Sequence, residues 1–159
     1  MIVVVMGVSG AGKTTIGKLL AARLAWRFID ADDHHPDANV AKMAAGIALE
    51  DTDRWPWLDA LNQVLQREPD AVIACSALKE AYRRRLLAGI DHACVVYLRG
   101  TKALIASRLA ERKHRYMPAT LLDSQFAALE PPRQAIEVDV SADPEACVGQ
   151  IVAAIGHPD

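Results

Sequence analysis

Residues 7–15, Gly7-Val8-Ser9-Gly10-Ala11-Gly12-Lys13-Thr14-Thr15, constrain this chain more than any other segment because of what flanks them. The apolar run Ile2 to Met6 precedes them and reads as a buried strand. Ile16, Leu19, Leu20 and Leu24 follow at the spacing of one helix face. The glycines let the backbone turn until several N–H groups face one anion. The helix that opens near Lys13 adds the positive end of its dipole. Lys13 reaches outer phosphates, and the Thr14 hydroxyl is placed to ligate Mg²⁺. Gly7 to Thr14 satisfy the pattern G-x-x-x-x-G-K-[ST] in full, between strand and helix as its chemistry requires. A plain glycine turn has no need of Lys-Thr at this offset. Residues 7–15 are therefore read as the cradle of a nucleoside triphosphate.

The rest of the chain repeats the strand–helix alternation. Strands are expected at residues 27–30, 71–75, 93–98 and 136–140. Pro36 opens a helix to about Ala45, which Gly46 closes. Thr52 is expected to cap a helix with Pro56 in its first turn and Leu58, Leu61 and Leu65 on its core face. Further helices are expected at 79–88, 101–111, from Pro118 to about Leu129, and after Asp143-Pro144. This order predicts an α/β fold with a five-stranded parallel sheet and helices on both faces. Ligands then bind at the carboxyl ends of the strands, where Gly7, Asp30, Cys75-Ser76 and Gly100 should gather.

Composition narrows the function classes. The 159 residues are enough for one domain, and their net charge of −2 gives no long-range support for nucleic acid. No apolar run nears the roughly 20 residues of a membrane helix, and the N-terminal run lacks the length and basic flank of a secretory leader. Cys75, Cys94 and Cys147 read as structural reduced thiols, which points to a cytoplasmic protein. Arg83-Arg84-Arg85 is the one feature in favour of RNA, and it also fits a solvated or salt-bridged helix face.

A nucleotide loop does not say what attacks the phosphate. The third strand ends in Cys75-Ser76, with no acid for a metal ion, so the acid must come from elsewhere. Asp30 and Asp32 flank one residue where the second strand ends. In extended geometry both carboxylates face the same side. One can hold Mg²⁺ through water and the other can orient or deprotonate a hydroxyl, and their roles could be exchanged. Turn and cap acids are the alternative. His34 and His35 have no second ligand pair at zinc spacing. His35 either lines the substrate site or is a solvated turn residue. Arg54 either grips a carboxylate as a fork or pairs with Asp51 or Asp53. Ser76 and Lys79 lie at the substrate edge, although Lys79 could be a solvated first-turn lysine.

Together these segments resemble the small P-loop gluconokinases, relatives of shikimate and adenylate kinases. The resemblance rests on residues 7–14; Asp30-Ala31-Asp32-x-x-His35-Pro36; Asn39-x-x-Lys42-Met43; Asp51-x-Asp53-Arg54-x-Pro56-Trp57-Leu58; and Cys75-Ser76-Ala77-Leu78-Lys79-x-x-Tyr82-Arg83. It continues through Tyr97-Leu98-Arg99-Gly100, Ser107-Arg108-Leu109, His114-x-Tyr116-Met117-Pro118 and Leu121-Leu122-x-Ser124-Gln125-Phe126-x-x-Leu129-Glu130. The loop is shared by many families, whereas the segments around Ser76 and His114 are more particular. Ala31 stands where this family commonly has glycine.

The resemblance implies a single three-layer P-loop kinase domain over residues 1–159, with a small mobile lid at about 112–119. It implies transfer of the ATP γ-phosphate to the 6-hydroxyl of D-gluconate, with Mg²⁺ as cofactor, in a homodimer. Lys13, Asp30, Asp32 and Arg112 would be catalytic. Residues 7–15 and Arg108 would hold ATP, and Thr14 and Asp30 the metal. Asp32, His35, Arg54, Ser76, Lys79, His114 and Gln125 would face the substrate, although Gln125 fits a helix surface equally well. Arg108 and Arg112, one helical turn apart, would lie on the adenine and across the phosphates. Basic residues also favour a helix C-terminus without such a role. Another small-molecule kinase, shikimate-like or acting on nucleosides or nucleotides, is the nearer alternative. A nucleotide-dependent RNA-binding regulatory module is the distant one.

Overall fold

The computed structural model describes residues 1–111 and 119–156. The strands are β1 (Ile2–Met6), β2 (Arg27–Asp30), β3 (Ala71–Ala74), β4 (Ala93–Arg99) and β5 (Ile136–Asp139). All pair in parallel, in the order β2-β3-β1-β4-β5, so β1 is central. The helices are α1 (Lys13–Leu24), α2 (Asp37–Ala44), α3 (Asp51–Gln66), α4 (Glu80–Leu86), α5 (Lys102–Glu111), α6 (Ala119–Ala128) and α7 (Pro144–Ile155). Among the described residues, no helix is long and apolar enough to cross a membrane.

β1 shows why both faces of the sheet are covered. Its side chains alternate, and all five residues are buried. Val3 and Val5 join one core with Ile16 and Leu20 of α1, Ile105 of α5 and Val148 and Ile151 of α7. Ile2, Val4 and Met6 join the other, with Leu58, Leu61 and Leu65 of α3 and Leu86 of α4. The helix α1 matches the expected face, with Leu19 at its margin. At α7, the Asp143 side chain accepts from Glu145 N–H at 2.9 Å and caps the helix as expected. Cys75 is a free thiol, pushed up to about 12 by its burial.

Three local expectations need correction. The start of α3 is capped by Glu50, and Thr52 lies inside the helix. Asp53 takes the Glu50 N–H at 2.8 Å, a reciprocal cap that ties the entering chain to the first turn. Pro56 consequently lies beyond the first turn, where it cannot donate to Thr52. The second correction concerns the end of β2. Residues Ala31–His34 form a 3₁₀ turn, because the Asp30 carboxylate accepts from Asp32 N–H at 3.0 Å and curls the chain. Asp30 and Asp32 are therefore not two residues of one extended strand. The third is the arginine triplet, which is salt-bridged as expected but does not form one solvated face. Arg83 is buried, Arg84 is exposed near Glu80, and Arg85 forms a fork on Asp59 at 2.7 and 2.9 Å.

Candidate active site

The carboxyl ends of β1, β2 and β3 converge as the topology requires. Gly7 N–H points to the Ser76 carbonyl at 3.4 Å, which joins the phosphate loop to the chain leaving β3. Gly10 and Gly12 have φ of 85° and 97°, values that side-chain-bearing residues rarely adopt. A Cβ on Gly10 would also come within 2.8 Å of Leu109 Cγ, so α5 packs directly on the loop. Lys13 Nζ donates to the Val8 carbonyl at 3.0 Å, holding the ammonium over the loop that it belongs to. Thr14 and Thr15 are exposed in the first turn of α1.

Gln125 of α6 reaches the same loop. Ser9 N–H donates to Gln125 Oε1 at 2.7 Å, and Gln125 Nε2 lies 3.0 Å from Ser9 Oγ. Both ends of the amide therefore face the phosphate loop, and the structure places Gln125 there rather than among the residues around Arg54. Gln125→Ala is expected to raise the ATP KM roughly two- to tenfold, the value of one or two hydrogen bonds, and to leave the KM of the phosphoryl acceptor unchanged. Steady-state kinetics with each substrate varied in turn would check this.

A second group of polar side chains sits beyond β2. His35 is almost fully enclosed and stacks on Trp57, with ring centroids 4.2 Å apart. Trp57 Nε1–H donates to the Ala31 carbonyl at 2.8 Å, so α3 holds the 3₁₀ turn in place. Burial holds the His35 pKa below its ordinary value; Asp32 opposes that shift and Arg54 adds to it. Arg54 lies 3.5 Å from Asp51 and 3.3 Å from the Tyr82 hydroxyl, with its guanidinium over the Tyr82 ring. Tyr82 donates to Asp51 at 2.5 Å, and burial together with that bond pushes its pKa up to about 12. Lys79 Nζ stands 5.7 Å from the centroid of the same ring. Asp53 instead binds Lys42 at 2.9 Å through each oxygen, which holds its carboxyl below the usual range. Among the described residues, that leaves Arg54 with a loose carboxylate contact, to Asp51 at its own helix start.

The structure thus gathers Asp32, His35, Arg54 and Lys79 around Tyr82 and Trp57, and Ser76 beside the phosphate loop. Arg108 donates to the Val140 carbonyl just after β5. Arg112 and His114 lie outside the described residues. Asn39, Trp57 and Tyr82 support the site although the sequence assigned them no role. Their visible signal was membership of the same motifs as His35, Arg54 and Lys79. Ala77 adds backbone strain next to Ser76, with φ of 44° in a buried alanine. A groove of about 960 Å³ lies elsewhere, between α4 and the chain near Glu130 and Pro131; the loop and acids described here do not line it.

A parallel sheet with a complete phosphate loop after its central strand, and a cluster of polar side chains at the same edge, defines a P-loop kinase. The shikimate kinase family model matches residues 9–136. The chain is similar to a probable gluconokinase of Xenopus tropicalis, at 44% identity over 95% of this chain and 91% of that protein. It is also similar to the thermosensitive gluconokinase of Escherichia coli K12, at 45% identity over 86% of this chain and 75% of that one. A gluconokinase crystal structure from Sinorhizobium meliloti 1021 superposes with a TM-score of 0.89 at 38% identity, covering 97% of this chain and 90% of that one. The chain belongs to the gluconokinase family, within the shikimate-kinase-like P-loop kinases.

Proposed function

We propose that this protein transfers the ATP γ-phosphate to the 6-hydroxyl of D-gluconate, giving 6-phosphogluconate and ADP. The observation that carries the reading is the pairing of a complete phosphate loop with a second polar cluster whose arginine, Arg54, meets a carboxylate only at 3.5 Å, that of Asp51, among the described residues. Lys13 and the amides of residues 7–15 hold the polyphosphate. Asp32 orients or deprotonates the attacking hydroxyl, and Arg54 takes the sugar-acid carboxylate as a fork. His35, Ser76 and Lys79 hold the intervening hydroxyls. Arg108 lies against the base once it leaves the Val140 carbonyl.

Mg²⁺ fits the donors available, which are hard oxygens: the exposed Thr14 hydroxyl and the part-exposed Asp30 carboxylate. Asp30 uses Oδ1 on Asp32 N–H, and its other oxygen takes no hydrogen bond from the described residues. Bound there, the ion would neutralise charge on the outer phosphates. The roles of Arg112 and His114, the lid at about 112–119, the single domain over residues 1–159, the homodimer and the cytoplasmic location belong to the same proposal. Light scattering of the purified protein checks the dimer.

The test is ADP release with gluconate, shikimate, nucleoside monophosphates and RNA offered in turn. Gluconate alone should stimulate it strongly; stimulation by RNA alone ends the sugar-acid account. Arg54→Ala is expected to raise the gluconate KM about tenfold or more while sparing the ATP KM, because a charge-assisted fork is lost from one substrate only. Equal effects on both would remove the carboxylate role.

A further inference from the structure

We infer that Asn39 fixes His35 as a neutral ring with its proton on Nε2, so that His35 donates and Asp32 accepts toward one hydroxyl of the substrate. The owner of that hydroxyl rests on the function proposed above; the placement of the proton does not. Asn39 is a buried polar residue of α2, only 3% exposed. Its Nδ2 lies 2.9 Å from the Asp53 carbonyl, which can only accept. A reversed amide would set oxygen against oxygen there, so the NH₂ group is the one facing Asp53. The same Nδ2 stands 3.3 Å from His35 Nδ1. An NH₂ group only donates, so Nδ1 must be the bare nitrogen, and a neutral ring then carries its hydrogen on Nε2.

Two alternatives conflict with the surroundings. A ring turned by half would put C–H against Asn39 and lose that bond. An imidazolium would place N–H against NH₂, in a pocket where burial already disfavours the charge. Nε2 lies 3.9 Å from the exposed Asp32 carboxylate at Oδ1, too far for a hydrogen bond and a separation that one hydroxyl oxygen can bridge. The oxygen of that hydroxyl accepts from His35 Nε2–H while its proton points to Asp32. Asn39 acts only through His35 and is a positioning residue.

Long-range nitrogen–proton NMR spectra of histidine-labelled protein test the first step, with His35→Gln to assign the signal. The expected result is a bare Nδ1 and a protonated Nε2 at neutral pH. A protonated Nδ1, or an imidazolium, overturns the inference. Asn39→Asp replaces the donor with an acceptor; it is expected to move the proton to Nδ1 and raise the gluconate KM about tenfold, with the ATP KM unchanged. A moved proton with an unaltered gluconate KM overturns the hydroxyl role. His35→Gln keeps an N–H donor and is expected to retain more gluconate affinity than His35→Leu; equal losses count against donation. Absence of gluconate turnover by the unaltered protein, with the expected spectrum, strikes the proposed function and leaves the proton placement supported.

Discussion

Lys13→Ala is expected to lower kcat/KM on the order of 10³-fold, or about 4 kcal/mol of transition-state stabilisation. Phosphoryl transfer leaves charge on the phosphoryl oxygens, and the protein's contribution is mostly positioning and electrostatic stabilisation. Lys13 is the one cation built into the phosphate loop itself, at the mouth of α1, where its charge adds to the helix dipole. Its bond to the Val8 carbonyl holds the ammonium close to the site it serves, so little reorganisation is needed when ATP enters. Lys13→Arg should fail nearly as badly, because a planar fork replaces a compact point charge. The half-exposed side chain carries little of the fold, so thermal unfolding should barely move. ADP release by Lys13→Ala above a tenth of the normal rate would remove its phosphate role.

The sheet was legible because β1 and β3 are continuous apolar runs between turn signals, and because the phosphate loop fixes which end of the sheet binds. What was not legible depends on contacts far apart in the chain. Glu50 is a poor cap by type. It serves because Asp53 takes its N–H, and Asp53 is in turn held by Lys42 from the preceding helix. The geometry of Asp32 hinged on one local bond, from its own N–H to Asp30, that competes with extension of the strand. Arg54 was legible as a candidate carboxylate ligand, but its release from Asp53 was not, since Lys42 decides it. In the triplet, three identical side chains leave the helix about 100° apart. Only the packing of Tyr82 and Leu86 into the core determines that Arg83, and not its neighbours, turns inward.

That inward turn carries the largest expected effect on stability. Arg83→Ala should cost about 3 kcal/mol, because a buried guanidinium leaves several acceptors unmet at once. Arg83 donates to the Ala77 carbonyl at 2.7 Å and to the Glu130 carbonyl at 2.8 Å, and lies 3.2 Å from Glu80. It therefore ties the strained turn after β3 to the chain leaving α6. Glu130 closes the same joint from the other side, donating to the Leu78 carbonyl and accepting from Glu80 N–H. For a domain of this size the loss corresponds to a Tm lower by roughly 6–12 °C. Arg83→Lys should recover only part of it, since a single ammonium cannot span the acceptors as a fork does. Arg84→Ala, on the exposed side, should stay within about 0.5 kcal/mol of the unaltered protein. Because Ala77 follows Ser76, activity should fall further than the folded fraction alone explains. Calorimetry and ADP-release assays on the three variants separate these effects. Equal Tm values for Arg83→Ala and Arg84→Ala would show that the buried fork does not hold the joint.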